Sequence, residues 1–145
     1  MNIKKLNSNA VIPTYGSKFS AGADLYACTD GDVIIMPGET KMIGTGIAME
    51  IPIGYAGFLY ARSGLASKEG LAPANKVGVI DSDFRGEIKV AMHNHSKLSK
   101  TITNGQRIAQ IVIAPVLQVE FNDVGENDLN ETDRGAGGFG STGRD

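Results

Sequence analysis

The sequence predicts an all-β domain: a jelly-roll-like sandwich or barrel with one short helix and a flexible glycine-rich C-terminal tail. Three observations carry this. Apolar and polar residues alternate with a period of two through most segments, the pattern of half-buried strands. No stretch of a dozen residues sustains a helical stripe. Glycine supplies 19 of 145 residues, about twice the usual share, and it punctuates short strand-like runs about every 8–12 residues.

Each element follows from its own pattern. "TGIAMEIP" reads as a strand between "MPGET" and "PIGY" turns, and "GYAGFLYAR" as the next. "SGLASKEG", Ser63 to Gly70, is the best helical candidate, one or two turns at most. In "GEIKVAMH", Ile88, Val90 and Met92 face one way while Glu87, Lys89 and Ala91 face the other. "RIAQIVIAPVLQVEF" sets Ala109, Ile111 and Ile113 on one side until Pro115 breaks the run. No internal repeat is visible. The chain divides into a β domain at 1–130 and a tail at 131–145.

Composition bounds the function. A 145-residue chain makes one domain that buries roughly 70% of its unfolded surface. It has no apolar run of membrane-spanning length, and "MNIKKLNSNAVIP" lacks the apolar stretch of a signal peptide. Cys28 is alone, so no internal disulfide forms. These features predict a soluble cytoplasmic protein. A net charge of −2 argues against a general nucleic-acid coat, yet leaves room for a polyanionic small molecule where cations converge or a metal assists.

Three apparent loops carry unusual polar residues. "SAGADLYA", Ser20 to Ala27, places Asp24 shortly after a glycine. "ARSGLA" ends a strand with Arg62 and Ser63, then offers what could be a helix start, where a cation, a hydroxyl and free N–H groups suit a phosphate. "VGVIDSDFRGE" sets Asp81 directly after an apolar run, then Asp83 and Phe84. Taken singly, each has an ordinary reading: turn-capping aspartates, a helix cap, a core ring. His93 and His95 share a strand face and could ligate a metal, but no Cys or third His joins them, which favours an ordinary polar pair. In the tail, residues 135–140 fit G-x-G-x-x-G, but only five residues follow, too few for the helix a dinucleotide or P-loop site needs.

Together the segments resemble the homotrimeric dUTP pyrophosphatases (dUTPases). Five motifs stand in that family's order from about Pro13 to Gly143: "AGADLYA", "RSGLA", "GVIDSDFRGE", "GQRIAQ" and "RGAGGFGSTG". The related dCTP deaminases share the fold, but the glycine-rich tail is not expected of them. A regulatory binding module switched by nucleotide is a further alternative, though the inserts of such members are not evident. Three positions depart from the family pattern: Ala61 replaces a frequent Pro, Gln106 an acidic residue, and Phe84 a Tyr.

The resemblance implies hydrolysis of dUTP to dUMP and pyrophosphate with Mg²⁺, in a homotrimer whose subunits share each site. Asp81 matches the general base that activates the attacking water. Asp24 and Gln110 match positions that hold metal-bound waters. Arg62, Ser63 and Gly64 match the phosphate loop. The resemblance assigns uracil to backbone groups of a hairpin from about Asn75 to Phe84, through Gly78, Val79 and Ile80, with Asn75 a possible side-chain contact. Phe84 would lie under the deoxyribose. Arg134, Phe139, Gly140, Ser141 and Thr142 match a C-terminal lid that folds over uracil and phosphates.

Overall fold

A computed structural model describes residues 1–125 and 129–138. Among the described residues, one five-residue helix (Leu65–Glu69) and twelve strands make up the regular structure: β1 (Asn2–Lys5), β2 (Thr14–Tyr15), β3 (Ala23–Tyr26), β4 (Val33–Ile35), β5 (Thr40–Gly44), β6 (Ile47–Glu50), β7 (Tyr55–Tyr60), β8 (Leu71–Pro73), β9 (Gly78–Ile80), β10 (Lys89–Asn94), β11 (Lys100–Ile102) and β12 (Arg107–Pro115). The largest sheet has the order β2-β3-β12-β7-β9, and β5-β10-β8 forms a three-stranded sheet. Two-stranded ribbons, β1-β6 and β11-β4, complete the jelly-roll-like fold. No helix among the described residues is long and apolar enough to cross a membrane.

Alternation does what the sequence requires of it. Ile88, Val90 and Met92 are fully buried on one side of the β10 segment, while Lys89 lies outward. They meet Leu25, Ile35, Ile43, Ile47 and Ile102 from the other strands in one core. Each such side chain contributes about 1.5–3 kcal/mol on leaving water. The alternation fails in β6, where Ile47, Ala48 and Met49 are all buried, in β7 at Ala56 and Gly57, and in β12. Ile108 and Ala109 are both buried, because the β12–β3 register slips between Arg107 and Ala109. A bulge of this kind turns two consecutive residues inward and re-aims those beside it.

Three expectations change. The "AGADLYA" segment is not a loop: Ala23 and Leu25 are buried and alternate with half-buried Asp24 and Tyr26, making strand β3. Its small and polar residues hid a four-residue alternation. The helix expected over Ser63 to Gly70 forms, but Leu65–Glu69 is wound as a π-helix, with the Gly70 N–H donating to Leu65 O. The segment from Asn75 to Phe84 is not a paired hairpin. Neighbouring β8 pairs with β10, whereas β9 pairs with β7, so the two strands belong to different sheets.

Candidate active site

The register of the large sheet gathers residues from distant parts of the sequence. Asp24 on β3 stands opposite Gln110 on β12, and Gln110 stands opposite Tyr60 on β7. Two residues beyond Tyr60, Arg62 turns back and its Nε donates to Asp24 Oδ1 at 2.8 Å. Arg107 reaches the other carboxylate oxygen, its guanidinium nitrogen 3.3 Å from Asp24 Oδ2. The bulge beside Arg107 lets it share this side of the sheet. One half-buried carboxylate between two guanidinium groups leaves a net positive corner. Neither terminal nitrogen of Arg62 has an acceptor among the described residues, so both remain free for an anion.

Gln110 is fixed from two sides. Its Nε2 donates to Ala61 O at 2.9 Å, bracing the backbone just before Arg62. A methyl group on Gly22 would lie 2.6 Å from Gln110 Oε1, so only glycine leaves room for this rotamer. Among the described residues Oε1 accepts no hydrogen bond and is available to a ligand. Ser63 and Gly64 follow Arg62 on the exposed surface, with Ser63 O accepting from Ser67 Oγ at 2.6 Å.

Residues 75–84 form a separate array. β9 is the edge of its sheet, so the backbone groups of Gly78, Val79 and Ile80 that face away from β7 lack a strand partner. Asn75 lies close by: its Nδ2 is 3.2 Å from where a Cβ on Gly78 would stand. Asp81 follows β9 directly and is exposed. Its carbonyl accepts from Phe84 N at 3.2 Å, closing the turn that presents the Phe84 ring. That ring lies against Gly86, where a Cβ would come within 2.7 Å of Phe84 Cζ. A cavity of about 500 Å³ opens beside Asp81, lined also by Gly54, Tyr55, Ser82, Val116 and Gln118.

Asp81 and the Arg62–Asp24 pair lie far apart on the sheet, although Gly78 is nearly level with Tyr60. β7 and β9 are antiparallel, with Gly57 opposite Ile80 and Leu59 opposite Gly78. Asp81 is therefore level with Ala56, while Asp24, which the Arg62 guanidinium meets, is level with Tyr60 and three strands away. The offset is about 13 Å along and about 14 Å across the sheet, or about 20 Å, at ~3.3 Å per residue and ~4.8 Å per strand. The structure brings together Asp24, Arg62 and Gln110, and separately Asn75, Gly78, Asp81 and Phe84. Arg134 joins neither, since its Nε donates to Gly137 O at 2.8 Å within a tail turn. Phe139, Gly140, Ser141 and Thr142 lie outside the described residues.

Sequence reasoning missed Arg107 as a contributor. It lies inside the quoted "GQRIAQ" run, but nothing there signals the bulge that points it at Asp24.

A phosphate-seeking cationic corner and an edge strand carrying a carboxylate, both on a jelly-roll-like sheet, define an enzyme of nucleotide chemistry. The comparisons name its family. The dUTPase family model matches residues 8–143. The chain is 55% identical to the deoxyuridine 5'-triphosphate nucleotidohydrolase of Nautilia profundicola, over 99% of each chain. It is 47% identical to the enzyme of the same name from Syntrophotalea carbinolica, over 99% of this chain and 96% of that one. Among solved structures, the Staphylococcus bacteriophage 80alpha dUTPase with dUpNHpp superposes with a TM-score of 0.85 at 30% identity, covering 99% of this chain and 98% of that one. A phage phi11 dUTPase variant, described with a structural Mg(II) ion, gives a TM-score of 0.77 at 28% identity, over 86% of this chain and 96% of that one. The chain belongs to the dUTPase family.

Proposed function

We propose that the chain hydrolyses dUTP to dUMP and pyrophosphate in the cytoplasm, and that each active site is completed between copies of a homotrimer. The observation that carries this is the distance between Asp81 and the Arg62–Asp24 pair. A base and a phosphate clamp about 20 Å apart on one sheet cannot both touch one triphosphate. Rotation about a three-fold axis can set the Asp81 end of one copy against the Arg62 end of the next.

In this reading the free edge of β9 reads uracil. Backbone donors and acceptors of Gly78, Val79 and Ile80 imitate a pairing base, and Asn75 adds its amide. Asp81 takes a proton from water as the water oxygen attacks the α-phosphorus. The bond from that phosphorus to the α–β bridging oxygen breaks, and pyrophosphate leaves with the electron pair. Arg62, Ser63 and Gly64 meet the phosphate charge with donors already in place, which is where most of the acceleration arises in such reactions.

Asp24 and Gln110 suit Mg²⁺ held through water. They offer hard oxygen acceptors, and the described residues hold no group of three His, Cys, Asp or Glu side chains that would cage an ion directly. Mg²⁺ bound there would neutralise phosphate charge. Residues 131–145 act as a lid, bringing Arg134, Phe139, Gly140, Ser141 and Thr142 onto the bound nucleotide.

One assay panel tests the reading. Pyrophosphate release with Mg²⁺ is measured from dUTP, dCTP and UTP, on the full chain and on a chain ending at Glu131. Rapid release from dUTP alone, nearly lost on truncation, is expected. Ammonia release from dCTP would point instead to a deaminase, and full activity without the tail would remove the lid. On the same panel, Phe84→Tyr should alter discrimination between dUTP and UTP little, because the ring alone blocks a 2′-hydroxyl. A sharpening of about tenfold or more, equal to about 1.4 kcal/mol, would assign that role to the missing hydroxyl.

A further inference from the structure

His93 and His95 take no part in the proposed chemistry, yet the structure places them together. On β10, His93 stands between Thr40 of β5 and Ala72 of β8. His95 lies just past the strand end, its N–H donating to Gly70 O at 2.8 Å. Spacing of two residues puts both imidazoles on one face. Their ring centroids are 4.3 Å apart with planes inclined at 64°.

The spacing admits a chelate. A metal–imidazole nitrogen bond is about 2.0–2.1 Å, and a ring nitrogen lies about 1.1 Å from its centroid, so each centroid sits about 3.2 Å from a shared ion. Two such vectors at a right angle separate the centroids by about 4.5 Å, whereas a tetrahedral angle gives about 5.2 Å. The observed 4.3 Å lies nearer the right-angle value. We propose that His93 and His95 form a two-imidazole site for a tetragonal transition-metal dication, Cu²⁺ ahead of Ni²⁺, with water in the remaining positions.

The surroundings bear on this in both directions. Thr40 Oγ1 lies 2.8 Å from His93 Nδ1. When Nδ1 carries the proton and donates it to Thr40, Nε2 is left as the ligating atom, the arrangement that orients metal-bound histidines generally. Lys76 stands close enough for its charge to act on the His95 ring. Lys76 opposes binding, since its ammonium repels a dication. No third His, Cys, Asp or Glu closes a site among the described residues, so a structural zinc site is not formed. Mg²⁺ seeks oxygen ligands and would not compete here. The proposal is independent of the nucleotide reading.

Copper titration of the full chain, without nucleotide and in a non-coordinating buffer, tests it. One Cu²⁺ per chain is expected, with electron paramagnetic resonance hyperfine structure from two ring nitrogens and no displacement by excess Mg²⁺. His93→Asn and His95→Asn should each weaken binding by about tenfold or more, while Lys76→Gln should tighten it. That hyperfine pattern is read on the parent protein alone, so it needs no variant to fold. Hyperfine coupling to fewer than two ring nitrogens, or undiminished copper binding in either histidine variant, overturns the proposal.

Discussion

Asp81→Asn is expected to bind dUTP as the parent chain does and to hydrolyse it about 10²–10⁴-fold more slowly, the usual cost of losing a general base. The substitution is clean for a structural reason. Among the described residues the Asp81 side chain forms no ion pair and no hydrogen bond, and only its main-chain carbonyl is engaged, by Phe84 N. An amide fills the same space and leaves that turn intact, but it cannot accept the proton of the attacking water. Thermal stability should therefore stay near that of the parent. Single-turnover pyrophosphate release, with dUTP affinity measured by calorimetry, separates chemistry from binding. Activity within a few-fold of the parent would remove Asp81 from the mechanism.

The strands with long alternation were legible because burial on one face forces it. The buried set Ile88, Val90 and Met92 could be read directly. Most strands of two to four residues were not legible, because so few positions cannot separate a period of two from chance; β6 was read from the turns that flank it. β3 shows the consequence: four residues following glycines look like a loop until Leu25 is seen in the core. The site was legible in kind but not in arrangement. Asp24, Arg62, Asp81 and Gln110 stand out by residue type and by the motifs around them. Their grouping depends on cross-strand register, and Arg107 meets Asp24 across 83 positions of sequence through a bulge that no local pattern announces. Nor does any motif say that Asp81 faces away from Arg62, because that follows from the antiparallel pairing of β7 with β9.

That pairing gives the second large effect. Arg62→Ala alone should be nearly inactive, since it removes the free guanidinium nitrogens and one of the two partners of Asp24. The fold should survive. The Arg62–Asp24 pair is partly exposed, with side chains 27% and 14% accessible, and Arg107 still holds the carboxylate. Asp81→Asn alone should also be nearly inactive. Co-refolded in equal amounts, the two chains should recover activity, because a site that draws its base from one copy and its phosphate clamp from the next is intact when the first carries Arg62→Ala and the second Asp81→Asn. Under random mixing in a cyclic trimer, one site in four meets that condition, so activity should return to about a quarter of the parent. If base and clamp belonged to the same copy, every site would lack one of them and no mixture could recover. An inactive mixture, with mixed trimers confirmed by native mass spectrometry, would rule out the shared site and require the sheet to bend until its two ends met on one nucleotide.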